Sequence, residues 1–83
     1  MKQVLYFSAK WCTACQTMTP TIDNLKKQDP NNVAKVDVDY DVSLVEQYNI
    51  KSVPTTVILE NGNEVNRHVG VLMDSQLKQL ING

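Results

Sequence analysis

Val4-Leu5-Tyr6-Phe7 is an unbroken apolar run, the pattern of a strand covered on both faces, and it belongs at the centre of a sheet. From Cys12 to about Gln28 the periodicity changes. Cys15, Met18, Ile22 and Leu25 recur at steps of three and four, which predicts a helix laying one stripe on that sheet, with Asp23, Lys26, Lys27 and Gln28 outside the stripe. Asp29-Pro30-Asn31-Asn32 ends it. Val33 to Asp39 alternates, Ala34, Val36 and Val38 on one face and Lys35, Asp37 and Asp39 on the other, as suits a strand near a sheet edge. Ser43 with Glu46 has the form of a capping box, and Leu44, Val45 and Tyr48 give a short second helix its apolar side, closed by Asn49. Thr55 to Leu59 is rich in β-branched residues, Asn61-Gly62 is a strong hairpin signal, and Val65, Arg67 and Val69 then alternate with Glu64, Asn66 and His68. Asp74 or Ser75 can cap a last helix whose Leu77, Leu80 and Ile81 pack inward before Asn82-Gly83. The predicted order is β-α-β-α-β-β-α, an α/β fold.

At 83 residues the chain makes one small domain, residues 1–83, able to bury only about 60% of its unfolded surface, so any active site must lie at the surface. Eight basic and nine acidic residues are scattered rather than blocked, for a formal net charge of −1. That leaves no footprint for nucleic acid or an anionic membrane, and no apolar stretch approaches membrane-spanning length. The apolar residues after Lys2 are too few for a signal peptide, and the only two cysteines are committed to one motif, with none left for a structural disulfide. A cytoplasmic monomer is the expectation.

Those cysteines stand in Trp11-Cys12-Thr13-Ala14-Cys15, at the passage from the first strand to the first helix. Two sulfurs one helical turn apart can reach each other with little backbone movement, and the free N–H groups of a helix start favour a thiolate. The same spacing can be half of a zinc site. A structural zinc takes four ligands, however, and His68 is the only other good soft ligand, so disulfide exchange leads over metal binding and over buried, inert cysteines. Asp37, Asp39 and Asp41 could suggest a cation site, but strand alternation without a glycine loop reads as solvated charge. His68, on an edge strand, reads as a solvated histidine.

Several separated motifs resemble the thioredoxin family. Trp11 to Cys15 is similar to its active site, Pro20 to the proline of its active-site helix, and Val53-Pro54-Thr55 to its cis-proline loop. Asn61-Gly62 is similar to its hairpin turn, Gly70 to the glycine beside the active site, and Lys35 to a family lysine. The chain starts at what would be the second strand of a full thioredoxin, as in short glutaredoxin-like thioredoxins. The resemblance implies a minimal thioredoxin fold, a four-stranded mixed sheet in the order 2-1-3-4 flanked by three helices. It also implies a protein disulfide reductase with no bound cofactor, recharged by a separate flavoprotein reductase. A glutaredoxin-like carrier recharged by glutathione, and a redox-independent binding subunit, are the alternatives.

Within that reading Cys12, at the exposed end of the helix, is the attacking sulfur, and Cys15, on the apolar stripe, resolves the mixed disulfide. Trp11 offers a flat apolar contact for substrate, the alternative being a core residue. By resemblance, Val53 pairs with substrate backbone beside a cis Pro54, and Gly70 either leaves room for that backbone or only turns the chain. Two departures bear on redox tuning. Thr13-Ala14 replaces the dipeptides usual between the cysteines, and Tyr6 stands where thioredoxins place a buried acid. Without that acid, Lys35 is expected to extend its ammonium to solvent or to donate to the Tyr6 hydroxyl.

Overall fold

β1 (Lys2–Ser8) lies between β2 (Val33–Asp37) and β3 (Thr55–Glu60) in the computed structural model, which describes residues 2–83. β4 (Asn63–Val69) completes the sheet, in the order β2-β1-β3-β4. β1 runs parallel to β2, with Tyr6 opposite Lys35 and Ser8 opposite Asp37, and antiparallel to β3, with Tyr6 opposite Thr56. The apolar run therefore occupies the centre, as its lack of alternation requires. Between β3 and β4, Asn61 and Gly62 both adopt positive φ, +54° and +84°, the geometry of the tight turn whose twist matches a hairpin.

Helix α1 (Thr13–Gln28) lays Cys15, Met18 and Ile22 on one face of the sheet. There Met18 and Ile22 join Val4, Tyr6, Val33 and Ile58, together with Leu72 and with Leu77 from α3 (Asp74–Asn82). The opposite face carries Phe7, Val36, Val57 and Leu59 beneath α2 (Val42–Gln47), with Leu44, Val45, Tyr48 and Ile50 packed half-buried on them. This is the α/β architecture the sequence implied.

Four local expectations are corrected. β2 stops at Asp37 because the Asp37 side chain turns the backbone: its Oδ1 accepts the Asp39 N–H at 2.9 Å, and its carbonyl accepts from Tyr40 and Asp41. The Ser43 capping box does not form. Asp41 is the N-cap of α2 and makes no side-chain cap bond, while Asn49, at φ +53°, closes the helix as expected. Helix α3 starts from Met73, whose N–H donates to the Gln76 side chain at 3.1 Å, so Asp74 and Ser75 lie inside its first turn rather than capping it. On β4 Asn66 and His68 are half-buried, so His68 is less solvated than expected, while on the other face Arg67 is half-buried and Val65 and Val69 are exposed. Asn66 Nδ2 donates to Leu80 O of α3, whereas on the valine face it is the long Arg67 side chain that reaches the end of α2, donating to the Tyr48 carbonyl.

Candidate active site

Cys12 is the N-cap of α1, in extended backbone just before the first helical residue, so its side chain meets the unpaired N–H groups of the first turn. Its Sγ accepts the Cys15 N–H at 3.1 Å. Cys12 and Cys15 are joined as a disulfide, with Cα atoms 5.2 Å apart, a span the helical start sets. Cys12 is 7% exposed and Cys15 2%, so Cys12 is less open than a helix-end position suggested. Ala9, Val38 and Val53 pack around the pair.

Val53 comes from the loop before β3, and the Val53–Pro54 peptide is cis. The Gly70 N–H donates to the Pro54 carbonyl at 2.8 Å, which ties the end of β4 to this loop. Gly70 has φ +110°, a conformation L side chains rarely adopt, while a Cβ there would meet only His68 Nε2 at 3.9 Å. Backbone conformation is thus the local demand for glycine. Trp11 is 68% exposed, which excludes the core reading. Its indole Nε1 donates to Asp39 Oδ2 at 3.0 Å, so the ring is held at the surface beside Cys12. Thr13 and Ala14, between the cysteines, are exposed.

Beneath the dithiol, Tyr6 is fully buried and its hydroxyl donates to the Cys15 carbonyl at 2.8 Å; Thr19 Oγ1 donates to the same oxygen at 2.8 Å. Burial pushes the Tyr6 phenol above its ordinary value, against smaller opposing effects of Thr19 and Lys35, so it stays a neutral donor. Lys35 extends to the exposed surface, the first of the two expected arrangements, and does not bond the Tyr6 hydroxyl. Its ammonium pairs with Asp23 Oδ1 of α1 at 2.8 Å, with both side chains well exposed. A carboxylate from the helix has entered the neighbourhood that the strand leaves without one. Asp23, Asp39 and Thr19 are the site residues missed in the sequence, where each looks like ordinary solvated polarity. Asp39 in particular departs from the solvated charge its alternation suggests, because the Trp11 indole donates to it. Among the described residues no group of three His, Cys, Asp or Glu side chains could hold a metal.

A cysteine pair bridging the first turn of a helix, packed against a loop valine, defines a thiol–disulfide oxidoreductase. The thioredoxin family model matches residues 1–83. The chain is 36% identical over 77 residues to thioredoxin of Chlamydia pneumoniae, covering 92% of this chain and 76% of that one. It is 38% identical over 78 residues to an H-type thioredoxin of Fagopyrum esculentum, covering 93% and 67%. Among solved structures, a thioredoxin variant from Halobacterium salinarum superposes with a TM-score of 0.88 at 36% identity, covering 98% of this chain and 72% of that one. Thioredoxin-2 of a malaria parasite, described as a component of its protein secretion machinery, superposes at 0.86 and 34%, covering 99% and 82%. The chain belongs to the thioredoxin family. It is a thioredoxin-type dithiol oxidoreductase acting through a reversible Cys12–Cys15 disulfide, and its partners are disulfide-bearing proteins and a reductase.

Proposed function

We propose that Cys12 attacks substrate disulfides and Cys15 resolves them, with Trp11, Val53, Pro54 and Gly70 forming the surface that receives substrate. The bond from the Cys15 N–H to Cys12 Sγ carries this reading, because it aims a backbone donor and the positive end of α1 at the Cys12 sulfur rather than at Cys15. Cys12 is then the sulfur whose negative charge is stabilised. The reaction starts with attack by the Cys12 thiolate on a substrate disulfide, which expels one substrate thiolate and leaves a mixed disulfide. Cys15 then attacks Cys12 Sγ, the intramolecular disulfide forms, and the second substrate sulfur leaves. Val53, packed on the pair, presents its backbone to an extended substrate segment, and Trp11 offers an apolar plate on the other side.

The same reading makes residues 1–83 one functional unit, a monomer in the cytoplasm recharged by a flavoprotein thioredoxin reductase. Thr13 and Ala14, between the cysteines, set its redox poise, with Tyr6 and Lys35 acting from below. Insulin reduction tests it, run with NADPH and thioredoxin reductase in one arm and with NADPH, glutathione and glutathione reductase in the other. Turnover in the first arm is the expected result. Turnover confined to the second would replace the reductase assignment with a glutaredoxin-like one.

A further inference from the structure

Resolution requires Cys15 to lose a proton, and Cys15 is 2% exposed on a helix whose underlying strand offers a phenol in place of an acid. A groove of about 500 Å³ reaches it from the surface, lined by Ser8, Cys15, Thr19, Lys35 and Asp37 among others. Its floor follows from the register. Tyr6 faces Lys35 and Ser8 faces Asp37, so alternation sets all four side chains on the face that α1 covers, with Asp37 one row nearer the end of β1 that leads into the dithiol. The space is polar and large enough for water.

Lys35 and Asp37 are two residues apart on one strand face and would pair by default. They do not, because Asp23 takes the Lys35 ammonium at 2.8 Å. Among the described residues no salt bridge reaches Asp37, which is half-buried and uses Oδ1 to accept the Asp39 N–H. Asp37 is therefore the carboxylate lining the groove with Cys15 whose basicity is not spent on a cation. Its charged surroundings are Lys35, held by Asp23, and Lys10, which lines the same groove and lies 5.6 Å from the Tyr40 ring centroid. Asp39 turns its carboxylate to Trp11, and Asp41 meets Asp37 only through its backbone N–H.

We propose that Asp37 is the proton acceptor for Cys15, acting through groove water, and so does the work of the acid missing at Tyr6. The inference rests on Cys15 being the resolving sulfur. In the mixed disulfide, Cys15 gives its proton to water in the groove, and that water passes one to the Asp37 carboxylate. The sulfur electron pair forms the bond to Cys12 Sγ as the bond from Cys12 to substrate breaks. The substrate sulfur leaves as a thiolate and takes up a proton, so the dithiol loses two electrons and the substrate gains them.

Asp37→Asn separates this role from a structural one, because an amide oxygen can still accept the Asp39 N–H while its basicity is lost. The reduced protein is mixed in a stopped-flow instrument with excess dithiobis(nitrobenzoate), which releases one coloured thiolate on attack and a second on resolution. In Asp37→Asn the first release should stay within about twofold while the second slows on the order of tenfold or more near neutral pH, the low end of general-base effects. Asp37→Glu should recover part of the loss. In Asp37→Asn the second phase should rise with hydroxide concentration across the neutral range, because no carboxylate remains in the groove to take the Cys15 proton, whereas in wild type it should depend on pH much less there. A second phase within twofold of wild type, or equal slowing of both phases, would overturn the proposal while leaving the dithiol roles standing. Release of the first thiolate by a Cys12→Ser variant as fast as by wild type would instead overturn those roles, and the proposal with them. Should Asp37→Asn not fold, the wild-type profile decides alone: a second phase that rises with hydroxide throughout the neutral range would overturn the proposal.

Discussion

On one face of the sheet α1 and α3 press Met18, Ile22 and Leu77 onto Val4, Tyr6 and Ile58, all 4% exposed or less; on the other, α2 contributes no buried residue. Sixteen residues of helix cover the first face from α1 alone, against six from α2 on the second. The thickly covered face anchors the helix that presents the sulfurs. The thinly covered one leaves a cleft of about 210 Å³ lined by Trp11, Val38, Val45, Ile50 and Val53, next to Cys12. The dithiol thus stands at the end of the sheet where the firmly packed face and the open cleft meet.

The largest expected effect belongs to the sulfurs at the end of α1. Cys12→Ser should abolish insulin reduction, while Cys15→Ser should accumulate Cys12-linked mixed disulfides, since one variant lacks attack and the other lacks resolution. Mass spectrometry of captured partners checks it; capture by Cys12→Ser at the level of Cys15→Ser would show the roles reversed. Next come the two faces themselves. Met18→Ala, fully buried under α1, should cost about 2–5 kcal/mol, and Leu44→Ala, half-buried on α2, about 1 kcal/mol. Denaturant midpoints that shift equally in both variants would erase the difference in cover.

Which parts of this were legible follows from the range over which each signal acts. The stripe Cys15, Met18, Ile22 and the Asn61-Gly62 turn are set by local periodicity and local φ, and they stand where the pattern put them. Ser43 failed as a cap, and Met73 with Gln76 succeeded as one, because the entry of the chain into each helix is fixed by what it packs on. The polar partnerships were hidden for a different reason. Asp23 meets Lys35 only once α1 lies across β2, and Asp39 meets Trp11 across 28 residues, so each residue alone carries the signature of a solvated charge. A buried acid at position 6 would have been readable from the strand. Its replacement by carboxylates from a helix and a neighbouring strand is readable only from the register.

A smaller effect is expected at the cleft. Trp11→Ala removes an exposed ring, so stability should hardly change, while kcat/KM for a protein disulfide should drop about tenfold, or about 1.4 kcal/mol of transition-state binding. Comparison with a small disulfide sharpens it. Loss of the ring should matter less there, because a small disulfide has little surface to lay on the tryptophan. An equal drop for both would mean that Trp11 acts on the sulfur chemistry and not on substrate contact.

The smallest effect lies on the thin face, where Arg67 of β4 grips Glu64 through two bonds, 2.6 and 2.8 Å, and also donates to the Tyr48 carbonyl at the end of α2, at 2.7 Å. This guanidinium is one of the few ties between the edge strand and α2. Hydrogen bonding to Arg67 holds the Glu64 carboxyl below its ordinary value, with burial opposing it and the charge of Arg67 adding a smaller effect in the same direction. A carboxyl depressed in the folded state stabilises it above the unfolded pKa, and that stabilisation is lost as pH falls through the depressed folded value. Both side chains are about one-third exposed, which limits the pair to a few tenths and at most about 1 kcal/mol. Glu64→Gln should therefore lower the denaturation midpoint slightly at neutral pH and converge with wild type in acid. Arg67→Ala should cost more than Glu64→Gln, because it also leaves the Tyr48 carbonyl without its donor. If the two variants cost the same, the bond to Tyr48 adds nothing, and the thin face is held by its apolar contacts alone.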